Sequence, residues 1–123
     1  EVEEKIDRVD DAIGAVRSAK EEGIVAGGGM ALLSALYLPL DDVTRKSISA
    51  PFYKILSNAE YPTTLENPIY PNGYDVKNFK EVNMFDAGII DAKKVTRNSL
   101  INSISASNTL LRTENVLTYN NNI

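Results

Sequence analysis

Three consecutive glycines, Gly27 to Gly29, precede an apolar segment and constrain the fold more than any other feature. Glycine loses more conformational freedom on folding than alanine, so the run indicates unusual backbone angles or something that approaches the backbone closely. At a helix start, such a backbone presents unpaired amide groups that suit an anion or a ribose-phosphate group. The alternative is a tight, close-packed turn between two helices. No Gly-Lys-Ser/Thr follows as in a P-loop, so we do not expect the run to hold a triphosphate unaided.

The composition limits the chemistry that the chain can perform. Its 123 residues suffice for one domain with a single modest core, and 13 basic against 17 acidic residues give a net charge of −4. We therefore expect no binding to nucleic acid or to an anionic membrane. Cysteine and histidine are absent, so we expect no metal site and any catalysis must use carboxylates. No signal peptide or membrane-length apolar run is visible, which predicts a cytoplasmic location.

The spacing of apolar residues predicts a mainly α, multi-helical fold. Apolar residues at steps of three and four predict an amphipathic helix over Val2–Glu22, with Gly23 directly after its end. A second helix is predicted over residues 29–38, where Pro39 stops it. This helix is apolar on nearly every side, so we expect it to lie centrally in the domain.

Two further helices follow in the sequence. Asp41 or Asp42 can cap a third helix that runs to residue 59, and we expect Pro51 to divide it into two segments. Asp91 can cap a long fourth helix that ends near Arg112.

The β-structure is expected to be small. Residues 61–83 contain several prolines and predict a loop, with at most a short helix near residues 63–67. Residues 83–90 have apolar residues on both sides of an Asp-Ala-Gly turn at 86–88, which predicts one small β-hairpin. Residues 116–119 favour a C-terminal strand with no obvious partner in the chain.

Three motifs, taken in order, resemble the C-terminal part of group I (GroEL-type) chaperonins. They are Val9-Asp10-Asp11-Ala12, Glu21-Glu22-Gly23-Ile24-Val25-Ala26-Gly27-Gly28-Gly29, and Gly73-Tyr74-Asp75 followed by Asp86-Ala87-Gly88-Ile89-Ile90-Asp91-Ala92-Lys93-Lys94-Val95-Thr96-Arg97. The resemblance covers almost the whole chain. It implies that residues 1–23 form the helix linking the intermediate domain to the equatorial domain, and that residues 24–123 form the C-terminal half of an equatorial ATP-binding domain.

The resemblance also implies roles for individual residues. Asp11 matches the catalytic carboxylate that helps to activate the attacking water. Gly28 matches a loop glycine that lies against the nucleotide, and Ile89 an apolar contact to adenine. Asp91 matches the carboxylate that holds the ribose hydroxyls, and Asp75 lies at the base contact. Without the resemblance, Asp11 would be a solvated helix carboxylate, Asp91 a helix cap and Ile89 a core residue.

The chain departs from the family at Asp75-Val76-Lys77, where the usual residues are Asn-Ala-Ala. The family's Gly-Asp-Gly-Thr-Thr phosphate loop, its magnesium-binding aspartate and its apical domain belong to sequence N-terminal to Glu1. The resemblance therefore implies ATP and Mg²⁺ as cofactors of a parent protein, with neither bound tightly by this chain alone. It implies other chaperonin subunits or a second copy as partners, and unfolded clients through the apical domain.

Two other interpretations stay open from the residues themselves. One is a helical interaction module on a chaperonin-like scaffold that has lost nucleotide chemistry, as residues 75–77 suggest. The other is a stand-alone nucleotide-binding enzyme built on the glycine run, for which the chain offers neither a Walker lysine nor a histidine.

Overall fold

The structure is a computed structural model that describes residues 1–113, and more than half of these are helical. The helices are α1 (Val2–Glu22), α2 (Met30–Leu33), α3 (Asp42–Asn58) and α4 (Lys93–Leu111), and a 3-10 helix (Ser34–Tyr37) continues α2. The strands are β1 (Ile24–Ala26), β2 (Asn72–Asp75), β3 (Lys80–Asn83) and β4 (Ile90–Ala92). The predicted mainly α class is confirmed. The strand predicted over residues 116–119 lies outside the described residues.

The bounds predicted for α1 are confirmed at both ends. Gly23 follows the helix with φ 89°, in the left-handed region that glycine adopts without strain. Its N–H donates to the carbonyl of Ala19 at 2.8 Å, which satisfies one of the last carbonyls of the helix.

Helix α3 begins as predicted but is not divided. Asp41 is its N-cap, and its carboxylate accepts the N–H of Thr44 at 2.9 Å and the hydroxyl of Thr44 at 2.8 Å. The expectation of two segments is wrong, because the helix passes through Pro51 without a break. Ile48 and Phe52 lie on either side of the proline and are both buried, so α3 packs against the rest of the chain before and after Pro51.

The four strands form two separate antiparallel pairs. β1 pairs with β4, with Val25 opposite Asp91. β2 and β3 form a hairpin within residues 61–83, where the sequence predicted a loop, and residues 63–67 contain no helix. The hairpin predicted around residues 86–88 is wrong, because residues 84–88 form a turn that joins β3 to β4, two strands of different sheets.

Asn83 explains why the chain turns there without forming a hairpin. Its side-chain carbonyl accepts the N–H groups of Phe85 at 3.0 Å and Asp86 at 3.3 Å, and its backbone carbonyl accepts the N–H of Ala87 at 3.0 Å. This local hydrogen bonding closes a turn on its own. The strand after the turn, β4, pairs instead with β1, which lies far away in the sequence.

One apolar core holds α2, α3 and the β2–β3 hairpin together. Its largest fully buried side chains are Met30 of α2 and Met84 of the turn after β3, and Phe52 of α3 packs against the same cluster. The central position predicted for α2 is confirmed by Met30 and Leu33, although its remaining side chains are only half-buried.

The end of helix α1 packs against the start of helix α4. Lys94 and Arg97 of α4 form ion pairs with Glu21 and Glu22 of α1, and the N–H of Lys93 donates to the carbonyl of Gly23 at 3.1 Å. None of the helices within residues 1–113 combines the length and the apolar character needed to cross a membrane.

Candidate functional site

The glycine run lies directly beside the segment that contains Ile89. Pairing of β1 with β4 brings the two segments together, and the N–H of Gly27 donates to the carbonyl of Ile89 at 2.8 Å. Gly28 and Gly29 have φ values of 66° and 80°, so both adopt the left-handed conformation. Two of the residues singled out in the sequence, Gly28 and Ile89, therefore belong to neighbouring segments.

The groups that approach the glycines closely belong to the protein itself. A Cβ atom at Gly27 would lie 3.1 Å from the carbonyl carbon of Ile89, and one at Gly28 would lie 2.7 Å from Cε of Met84. A Cβ atom at Gly29 would lie 2.8 Å from Cα of Phe52. Internal packing thus accounts for all three glycines, as the close-packed-turn interpretation expected, and the run by itself does not require a ligand.

Asp91 lies at the wall of a cleft between α1, α2, α3 and α4. The cleft has a volume of about 440 Å³. Its lining is mostly apolar and includes Ala15, Gly29, Ala31, Leu32, Pro51, Ile55, Ile90, Ala92, Val95, Thr96 and Ser99. Asp91 is the only charged residue among those that line it within the described chain.

The carboxylate of Asp91 has no protein partner within residues 1–113, and desolvation by the surrounding apolar groups raises its pKa above the ordinary value of 3.8. The N-cap of α4 is Ala92, and no side-chain hydrogen bond caps the helix. The predicted capping role of Asp91 is therefore wrong, because its backbone is occupied in the β1–β4 ladder. Both oxygens of this carboxylate are available to accept hydrogen bonds from a ligand, such as a pair of vicinal hydroxyls.

Asp11 lies on the same side of α1 as the cleft. It is exposed, and it precedes Ala15 by four residues, so the two side chains are neighbours on one helical face. Since Ala15 lines the cleft, Asp11 is one helical turn from its wall. The fold thus brings Asp11 near the cleft that Asp91 lines.

Ile89 is half-buried and packs against the central core. The neighbouring residue, Ile90, lines the cleft and is 44% exposed. Ile89 does not line the cleft. The apolar group available to a ligand in the cleft is therefore Ile90, which the sequence did not single out.

Asp75 is engaged in the turn that closes the β2–β3 hairpin and does not line the cleft. One carboxylate oxygen accepts the N–H groups of Lys77 at 3.1 Å and Asn78 at 3.2 Å, and the other accepts Nδ2 of Asn78 at 2.7 Å. These hydrogen bonds, above all the one from the Asn78 side chain, lower the pKa of Asp75 below its ordinary value. The carboxylate that departs from the family pattern therefore has a structural task in this chain.

Two hydroxyl groups of the cleft, those of Thr96 and Ser99, were not among the residues predicted from the sequence. They lie three residues apart on α4, a spacing that puts two side chains on one helical face. That spacing was visible in the sequence, but nothing local indicated that this face of α4 lines a cleft.

The described residues contain no group of three or more acidic side chains that could hold a metal ion. A comparison of the sequence with models of known protein families finds no match.

Proposed function

We propose that the chain is the C-terminal part of the equatorial domain of a group I chaperonin-like ATPase, and that it supplies the ribose side of an ATP pocket. The order of the three sequence motifs supports this assignment. The structural observation that carries it is Asp91, whose carboxylate has no partner within residues 1–113 and lines an apolar cleft beside the glycine loop. Such a carboxylate can accept two ribose hydroxyls at once.

The residues of the cleft suit the ribose and the base of ATP better than its phosphates. Asp91 can hold the ribose, and Ile90 offers an apolar surface to a flat base. No lysine or arginine of residues 1–113 lines the cleft, so the electrostatic attraction for the phosphates would have to come from other parts of a parent protein. The isolated chain is accordingly expected to bind adenosine and ATP with similar, weak affinity.

Asp11 would be the residue that acts on water. An exposed carboxylate one turn from the cleft can accept a proton or orient a water molecule for attack on a phosphoryl group. ATP supplies the phosphoryl group, and Mg²⁺ held with residues outside this chain would neutralise its developing charge. Ring-forming subunits and unfolded polypeptides would be partners of the parent protein.

Nuclear magnetic resonance of the ¹⁵N-labelled chain tests the nucleotide proposal. Adenosine, titrated into the millimolar range, should shift the amide signals of Ile90, Asp91 and Thr96. The substitution Asp91→Asn should weaken this binding roughly tenfold, since a charged acceptor is replaced by a neutral one. Asp42→Asn, at an exposed position on α3, is the matched control and should leave the affinity unchanged. Equal shifts in the two variants would contradict the role of Asp91.

The alternative function is a helical interaction module that no longer binds nucleotide. Two observations favour it: packing alone explains the glycine run, and Asp75 is committed to a turn. A folded chain whose cleft signals do not respond to millimolar adenosine or ATP would support this alternative. The gene sequence upstream of Glu1 separates the two as well, because only the ATPase requires a Gly-Asp-Gly-Thr-Thr loop there.

A further inference from the structure

Helix α1 carries an apolar stripe that the described part of the chain leaves uncovered. The stripe consists of Val2, Ile6, Val9, Ile13 and Val16, which are 72%, 55%, 57%, 46% and 61% exposed. On α1, contacts with the rest of the domain come instead from Ala15 at the cleft and from Glu21 and Glu22 in the ion pairs. At 3.6 residues per turn, the stripe and the side of α1 that bears Ala15 and Glu22 lie on roughly opposite sides of the helix.

The spacing of this stripe is that of a coiled coil. Its members follow one another at steps of four, three, four and three residues, which keeps a strict heptad pattern from Val2 to Val16; the next a position is Lys20. An amphipathic helix that packs once on a globular core has a wider apolar face. In heptad terms Ile6 and Ile13 occupy a positions, and the three valines occupy d positions.

The surface of the helix has a hollow between residues of the stripe. A hollow of about 260 Å³ is lined by Val2, Lys5, Ile6, Val9 and Asp10. The first four are the d, g, a and d residues that form the hole for an a-position knob in a parallel coiled coil. The side chain that fits this hole in register is Ile6 of a second copy.

The charges that flank the stripe also suit a second copy. Lys5 occupies a g position and Asp10 the e position five residues later. In a parallel, in-register pair these two positions lie against each other across the interface, so each Lys5 meets the Asp10 of the other copy. An antiparallel pairing centred on the stripe would set Glu3 against Arg17 at both ends but Asp10 against Asp10 in the middle, so the parallel pairing is the one without a like-charge contact.

From the spacing, the hollow and the charges, we propose that α1 is a self-association element that joins copies of this chain through a parallel, in-register coiled coil. The association is independent of the nucleotide proposal, since Asp11 lies outside the stripe, on the same face as Ala15. The helix is short for a coiled coil, so the affinity is expected in the micromolar range.

Sedimentation equilibrium on the whole chain tests the proposal. The chain should associate between 10 and 200 µM, and Ile13→Lys should make it monomeric. Ile101→Lys is the matched control, since Ile101 of α4 is 51% exposed but lies outside the stripe, and it should associate like the original chain. A monomeric original chain at 200 µM, or an associated Ile13→Lys variant, would overturn the proposal.

Two further variants test register and direction and do not depend on the folding of Ile13→Lys. Lys5→Glu should weaken association roughly tenfold, and Asp10→Lys added to it should restore the affinity by exchanging the charges.

Because the chain contains no cysteine, Val2→Cys gives one thiol per copy. Oxidation should link the copies of a parallel pair rapidly, whereas an antiparallel pair keeps these positions more than about 20 Å apart. Absence of charge rescue together with absence of the cross-link would overturn the proposal.

Discussion

Arg97 of α4 binds Glu22 of α1 through two hydrogen bonds, Nε to Oε2 at 3.1 Å and Nη2 to Oε1 at 2.6 Å. This two-point geometry is specific to arginine, because a lysine ammonium cannot present two parallel donors to a carboxylate. The pair fixes the end of α1 beside the start of α4, next to the segment that carries Asp91. It thereby sets one wall of the candidate cleft.

The Glu22–Arg97 pair predicts a specific dependence of stability on pH. The hydrogen bond from Arg97 lowers the pKa of Glu22 below its ordinary value of 4.5 in the folded chain. The stabilisation is therefore present above pH 4.5 and is lost as the pH falls through the lower, folded value. Urea unfolding should show Glu22→Gln less stable than the original chain near neutral pH, with the difference vanishing in acid. A difference that persists at about pH 2 would contradict this explanation.

Asp91 predicts a dependence of stability on pH with the opposite sign. Desolvation raises its pKa, so its contribution to stability is fully present below pH 3.8 and is lost as the pH rises through the folded value. Asp91→Asn should therefore stabilise the chain at neutral pH by about 0.5 kcal/mol, because the side chain is still partly hydrated. The two proteins should be equally stable at about pH 2. A loss of stability at neutral pH would mean that Asp91 has a structural partner.

The glycine loop predicts a contrast between two glycine substitutions. Gly29→Ala places a Cβ 2.8 Å from Cα of Phe52 at a φ of 80°, and should destabilise the chain by about 2 kcal/mol or more. Gly14→Ala is the control, since a Cβ there meets nothing within 4 Å in the middle of α1. It should stabilise the chain by about 0.5–1 kcal/mol. Thermal unfolding followed by circular dichroism measures both, and a tolerated Gly29→Ala would refute the close-packed turn.

Met84 is predicted to be a main contributor to the stability of the core. It is fully buried and contacts both the glycine loop and β2 at Gly73. Met84→Ala should cost about 2–5 kcal/mol, because it removes a fully buried side chain and leaves a cavity in the core. Ile69→Ala, at a position that is 70% exposed, should change stability by less than about 0.5 kcal/mol. Similar midpoints in urea for both variants would contradict the importance of Met84.

The helices were predictable from the sequence because their signals are local. The end of α1 at Gly23 and the start of α3 at Asp41 depend on groups within one turn of chain, so residue types alone determine them. The spacing along α1 likewise gave its amphipathic face. The turn after β3 is also set locally, by the side chain of Asn83, although the sequence pattern predicted a hairpin there.

Tertiary structure decided the features that join distant segments. Ile24 and Ala92 pair in one sheet, and nothing near either residue in the sequence specifies the other. Pro51 lies within a continuous helix with a buried residue on either side of it, a continuity that local propensity alone would not predict. The pKa of Asp91 and the neighbours of the glycines likewise depend on which segments pack together. Sequence determines what is set within a few residues, and the burial of apolar surface between remote segments determines the rest.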